Sequence, residues 1–168
     1  MIHIRKLGPA DAALFREMRL EALRLHPDAF TGDLADESAQ TLAVFAEITV
    51  KSAVFAAFRG DEVLGLAAVS PQRGRKKAHL GLLWAVYVRA TARGLGAGRQ
   101  LIDAVLHHAA ENFEIVQLAV AATNLPARQL YESLGFTAYG LEKYAIKHEH
   151  GYGDYLLMMK ILRPIPAP

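Results

Sequence analysis

The chain has 168 residues, near the size of one domain, and 52% of them are hydrophobic against 21% charged, a balance that excludes disorder over most of its length. Its 19 Lys and Arg against 17 Asp and Glu leave a surplus of only +2, too little for the dense positive face of sequence-independent nucleic-acid binding. The absence of cysteine excludes disulfides, thiolate nucleophiles and cysteine-built zinc sites, and fits a reducing cytoplasm, the expected location.

Residues 1–15 carry charges at Arg5, Lys6 and Asp11 and no apolar core, so neither a signal peptide nor a membrane anchor is expected there. Ile2 and Ile4 alternate with His3 and Arg5 as in a short strand, and Gly8-Pro9 stops it. Leu14, Met18, Ala22 and Leu25 then recur at helical spacing until His26-Pro27. Residues 28–37 read as a polar loop with Phe30 exposed in its middle, either a substrate-facing segment or a plain connector. A second helix starts near Ser38 and carries Leu42, Phe45, Ala46 and Ile48.

Two β-branched and aromatic runs, 53–58 and 63–69, flank Arg59-Gly60-Asp61-Glu62 and predict a β-hairpin. A loop at 71–77 leads to a strand at 80–88. That strand is too short to span a bilayer, and its apolar run predicts a place inside a sheet covered on both faces. From Gly94 to Asn112 the period changes to 3.6, with Leu101, Ile102, Val105, Leu106 and Ala109 as the buried stripe. A strand at 114–120, a helix at 124–134 closed by Gly135-Phe136, and strands at 136–147 and 152–162 around a turn at 148–151 complete the chain. The order βααβββαβαββ, without repeat or composition break, predicts a single α/β domain over residues 1–168.

Chemistry concentrates in two segments. The first, Val88-Arg89-Ala90-Thr91-Ala92-Arg93-Gly94-Leu95-Gly96-Ala97-Gly98-Arg99, runs from a strand through a Gly-rich turn into a helix. Glycines there let the backbone approach a ligand, and the first N–H groups of the helix have no intrahelical acceptors. Together with the helix dipole and Arg93 or Arg99 they form an anion site suited to a diphosphate. Gly98 is followed by Arg99-Gln100, which excludes a Walker site. A dinucleotide fingerprint counted from Gly94 meets Arg99 where its third glycine belongs. Taken alone, the loop could still be a ligand-free turn.

In the second segment, Asn124, Ala127 and Tyr131 stand at i, i+3 and i+7, so one helix face carries an amide, a small residue and a phenol. Taken alone, such a face is more often core packing.

Together the segments resemble the two ligand motifs of the GNAT superfamily of N-acetyltransferases. Arg93, Gly94, Leu95, Gly96, Ala97 and Gly98 match Arg/Gln-x-x-Gly-x-Gly/Ala, and Asn124, Ala127, Tyr131, Gly135 and Phe136 match the second motif. The element order is also that of the superfamily, which implies a mixed central sheet of about six to seven strands with helices on both faces. By resemblance, Val86-Tyr87-Val88 belongs to a strand splayed from its neighbour, whose free backbone groups pair with the pantetheine arm of acetyl-CoA. Val86 or Val88 N–H would then polarise the thioester carbonyl, and the Arg93 to Arg99 loop would hold the pyrophosphate. Asn124 would bond the pantetheine arm, and Tyr131 would protonate the departing thiolate.

The reaction so implied is direct acetyl transfer from acetyl-CoA, as co-substrate, to a primary amine of a small molecule, peptide or protein. A non-catalytic acyl-CoA-binding module and a dinucleotide-dependent oxidoreductase are the alternatives. Where some members carry an acidic base, this chain has Leu82 and Ala119; water, His79 or Glu37 are the remaining routes for the amine proton, with Phe30, Glu37 and His79 as candidate acceptor-binding residues. The basic run Arg73, Arg75, Lys76 and Lys77 lacks interleaved aromatics and reads as a solvated loop. His107, His108, His148 and His150 form no ligand set at metal spacing. No metal, nucleic acid or membrane partner is expected, and homodimerisation rests on the resemblance alone.

Overall fold

A computed structural model of the chain describes residues 1–166; the last two positions of the predicted domain range lie outside the described residues. Among the described residues seven strands form one mixed sheet in the order β1-β2-β3-β4-β5-β7-β6. They are β1 (His3–Lys6), β2 (Ala53–Arg59), β3 (Glu62–Pro71), β4 (Leu80–Val88), β5 (Ile115–Ala121), β6 (Thr137–His148) and β7 (Gly151–Ile161). The helices are α1 (Ala12–Leu25), α2 (Leu34–Ser38), α3 (Leu42–Lys51), α4 (Ala97–Asn112) and α5 (Leu125–Ser133). This is the predicted α/β fold with one helix more. The loop expected at 28–37 holds a 3-10 turn at Pro27–Ala29 and the short α2, which Asp33 caps by accepting from Asp36 N–H at 3.0 Å. That helix has no buried residue, so it leaves no apolar period in the sequence.

Period-2 alternation in β2 and β3 sends successive side chains to opposite faces, and both faces are covered. Val54, Ala56, Phe58, Leu66 and Ala68 pack with Phe15, Met18 and Ala22 of α1 and Phe45 of α3. Ala53, Phe55, Ala57, Leu64 and Ala67 meet Leu101, Ile102, Val105 and Ala109 of α4, the predicted stripe. The hairpin turn closes with Arg59 paired to Glu62. A parallel β4–β5 pair requires a crossover, and α4 supplies it.

The strand β4 is less enclosed than its apolar run predicts, because residues alternate between buried and partly open along its length. Leu82 is 39% exposed, and Ala119 of β5 is exposed as well. The face of β4 and β5 turned toward α1 is thus an open apolar floor rather than a covered core. Among the described residues no helix is long and apolar enough to cross a membrane.

Three buried phenols give the fold a pH limit. Burial, then the hydrogen bond to Glu21, pushes Tyr87 up to about 12; burial raises Tyr131 well beyond the ordinary range; burial, with Asp28 and Glu142, raises Tyr155. In the unfolded chain each ionises near pH 10. Above that pH the folded chain holds more protons than the unfolded one, so stability is complete below about pH 10 and falls as pH rises through the folded values. Melting temperatures recorded from neutrality to about pH 12 are expected to drop steeply above 10. The drop should be shallower in Tyr155→Phe, and an equal slope in that variant refutes its share.

Candidate active site

The strands β4 and β5 pair only from Leu80 to Leu82, opposite residues 115–117. Beyond Leu82 the β5-facing backbone edge of β4 has no strand partner, so the sheet opens into a cleft. A bulge accompanies the opening. Pairing with β3 passes from Ala68↔Trp84 to Leu66↔Tyr87, which places one extra residue in β4, and Ala85 sits there at φ +53. A non-glycine residue in that region costs about 1 kcal/mol, a strain typical of functional segments. The bulge turns the end of β4 toward the cleft.

The cleft widens into a cavity of about 920 Å³, large enough for a substantial organic ligand. It is lined by Val86, Tyr87 and Val88 from β4, by Arg93, Gly94, Gly96, Ala97, Gly98 and Arg99 from the Gly-rich turn, and by Asn124 and Ala127 from α5. Residues 25–30 close the remaining side. The structure therefore gathers around one void most of the residues picked from the sequence. Leu95 is the exception in the loop: it stands 48% exposed and does not line the cavity.

Each wall has a local cause. Gly96 precedes α4 at φ +81 and ψ 4, a left-handed conformation that glycine adopts without strain. Its carbonyl accepts from Gln100 N–H at 3.0 Å and starts the helix. The first-turn N–H groups of Ala97, Gly98 and Arg99 lack helical acceptors and sit at the positive end of a 16-residue helix. Arg93 and Arg99 are parked on neighbours: Arg93 Nη2 lies 3.0 Å from His26 Nε2, and Arg99 Nη2 donates to Ser133 Oγ at 2.7 Å. Asn124 caps α5 by accepting from Ala127 N–H at 3.3 Å, which leaves its amide nitrogen free to donate.

Tyr87 lines the cavity beside His26, and its hydroxyl donates to Glu21 Oε1 at 2.8 Å. Arg89 donates Nε and Nη2 to the same carboxylate at 2.8 and 2.6 Å. The Arg89 hydrogen bond in particular holds Glu21 below the usual carboxylate range, and the cluster fastens α1 to the end of β4.

Tyr131 is placed differently from the expectation of a cavity-facing phenol. It is only 7% exposed, belongs to the core on the α4 side, and meets Phe136 edge-on at 5.8 Å. Ala127 and Leu130 line the cavity in front of it. Helical spacing put Tyr131 on the Asn124 face; packing against Phe136 drew its ring inward.

Two acceptor-side expectations fail. His79 is exposed at the other end of β4, where its carbonyl accepts from Glu114 N–H at 2.9 Å. Nine strand residues, about 30 Å, separate it from the Gly-rich turn. Glu37 is no free base, because Arg19 grips both carboxylate oxygens at 2.8 and 2.7 Å. Phe30 does line the cavity, half-buried rather than exposed. Sequence reasoning missed His26, which also lines it, with its ring 5.9 Å from Tyr87. Arginine can only donate, so His26 Nε2 is the acceptor in this contact. In the sequence this histidine reads only as part of the helix-ending His26-Pro27.

The model of the acetyltransferase (GNAT) family matches residues 17–136. A mycothiol acetyltransferase from Thermomonospora curvata is 44% identical over 64 residues, 38% of this chain and 22% of that protein, so the chain spans less than a quarter of that relative's length. A ribosomal-protein-alanine N-acetyltransferase from Brucella melitensis superposes with a TM-score of 0.81 at 26% identity, covering 95% of this chain and 99% of the other. A putative acetyltransferase from Salmonella typhimurium, solved with its cofactor acetyl-CoA, superposes with a TM-score of 0.83 at 23% identity, over 100% of this chain and 98% of the other.

Proposed function

Because the chain belongs to the GNAT acetyltransferase family, we propose that it moves the acetyl group of acetyl-CoA directly onto a primary amine bound in the same complex. The observation that carries this reading is the single cavity shared by the splayed end of β4, the Gly-rich start of α4 and the Asn124 cap of α5. Acetyl-CoA supplies an activated thioester. The N–H groups of Ala97, Gly98 and Arg99 take its diphosphate, with Arg93 and Arg99 free to turn from His26 and Ser133 onto the same charge. Asn124 donates its free amide to the pantetheine arm. The unpaired edge at Val86 to Val88 provides N–H groups that hydrogen-bond the thioester carbonyl and hold the charge that builds on its oxygen.

The amine nitrogen bonds to the carbonyl carbon, the carbon–sulfur bond breaks, and the sulfur takes its proton from water in the cavity, because Tyr131 lies behind Ala127 and Leu130 and faces Phe136. With Leu82 and Ala119 apolar, His79 remote and Glu37 ion-paired, the amine proton leaves through water to His26 and the strand carbonyls. Cysteine is absent, so no cysteinyl acyl-enzyme intervenes. The acceptor is an amine of a small molecule, peptide or protein; the relatives are named for mycothiol and for an alanine of a ribosomal protein. We place the activity in the cytoplasm.

Acetyl-CoA at 100 times its Kd is expected to add about 2.7 kcal/mol, or about 5–10 °C in Tm, where NAD(P) adds nothing. A thiol reagent then reads CoA release without background, since the chain has no thiol of its own. Release with an amine panel supports the enzyme, and acetyl-CoA binding without release supports a carrier module. Tyr131→Phe should leave kcat and acetyl-CoA affinity near wild type, because its ring packs in the core against Phe136. A kcat lowered about 100-fold at unchanged acetyl-CoA affinity would instead make Tyr131 the acid that protonates the sulfur.

A further inference from the structure

Arg19 is an arginine in a place where apolar side chains are the rule. It is 6% exposed on the buried face of α1. Its guanidinium carbon lies 5.3 Å from the centroid of Phe30 and 5.7 Å from that of Trp84, while Nε and Nη2 form the two parallel bonds to Glu37. One planar group thus fixes a cavity-lining ring, an indole on the open β4 floor and the short helix α2. A buried ion pair adds little stability over apolar packing of the same volume; what it adds is orientation, because the guanidinium fork and its flat faces each accept one geometry.

Gly32 shows how closely the segment is fitted. A Cβ there would stand 2.1 Å from Glu37 Oε1 and 2.4 Å from Arg19 Nη2, so the backbone lies directly on the ion pair. The other side of the segment is tied as well, by His148 Nδ1 to Asp28 Oδ1 at 2.9 Å and by Arg16 Nη2 to Ser38 O at 2.7 Å.

We propose that Arg19 is a positioning residue for acceptor binding: it clamps residues 26–37 so that Phe30 stands as a preset wall beside Trp84 where the acceptor amine enters. This rests on the acetyl-transfer reading of the cavity. A preset wall spares the cost of ordering a loop on each binding event, so its loss appears in acceptor affinity rather than in acetyl-CoA affinity.

Trp84 is the sole tryptophan of the chain, which makes its fluorescence a local reporter. The test uses the full chain with Arg19→Lys, which keeps charge but loses the fork, Gly32→Ala, which displaces the pair, and Glu37→Gln, which keeps shape and is the mildest for folding. Acrylamide quenching of Trp84, acetyl-CoA affinity by calorimetry, and KM for the panel amine that the wild type acetylates best are measured together. The expected result is more effective quenching and an acceptor KM raised about 10-fold, with acetyl-CoA affinity close to wild type and a lowered Tm, because each variant weakens a buried ion pair. Unchanged quenching and acceptor KM overturn the proposal, as does acetyl-CoA affinity falling in parallel with acceptor affinity. A wild type that neither binds acetyl-CoA nor acetylates any panel amine overturns the acetyl-transfer reading itself, and the acceptor role with it.

Discussion

Gly96→Val is expected to weaken acetyl-CoA binding about 100-fold, or about 2.7 kcal/mol, with a much smaller effect on melting temperature. At φ +81 a β-branched side chain cannot stay in place, so the residue must rotate toward negative φ. That rotation redirects the carbonyl bonded to Gln100 N–H and swings the following N–H groups of Ala97, Gly98 and Arg99 off their common target. Affinity held by backbone donors is lost when their convergence is lost. The fold suffers less, because Leu101, Ile102, Val105 and Ala109 still anchor α4. Arg99→Ala is the control: its guanidinium rests on Ser133, and its removal should weaken binding only about 10-fold, the scale of one exposed charge. Calorimetric titration of both variants decides it. Equal losses would show that the arginine, not the loop backbone, carries the diphosphate.

The second large effect is expected at Gly65, on the strand that supports the bulge. A Cβ there would lie 2.3 Å from the Tyr87 carbonyl oxygen and 3.0 Å from Val88 Cα. Both are backbone atoms with no flexible end to yield. Gly65→Ala must therefore push β4 away from β3, at about 3 kcal/mol, or about 6–12 °C in Tm for a chain of this size. The displaced segment is the Val86–Val88 edge of the cavity, so kcat should fall as well, by up to about 100-fold for a shift near 1 Å. Gly8→Ala, where a Cβ meets nothing within 4 Å, should change neither quantity. A stable, fully active Gly65→Ala would mean that β4 can slide without cost and that its bulge does not set the cavity edge.

The two positions differ in how visible they are along the chain. Gly96 belongs to a strand–turn–helix punctuation in which three glycines alternate with other residues, and such local signals survive translation into structure because they depend on neighbours within one turn. The stripe of α4 and the hairpin at Gly60-Asp61 belong to the same kind, whereas the capping role of Asn124, read from the sequence as part of a helix face, emerged only with the structure. Gly65 stands in an apolar strand with nothing to mark it, since what it must accommodate is a carbonyl 22 positions later.

By itself the sequence determined the alternation of strands and helices, the Gly-rich turn that opens α4, the helix that follows Asn124 and, through these, the family. It also determined that no cysteine takes part in the transfer. Only the tertiary structure decided the rest: β4 and β5 part after three residues, Tyr131 turns inward onto Phe136, Glu37 is taken by Arg19, and His79 lies a strand's length from the chemistry. Periodicity and capping are written in contacts between near neighbours, whereas these outcomes are set by partners such as Arg19–Glu37 and Tyr87–Glu21, 18 and 66 positions apart, which meet only when the sheet and its helices have packed.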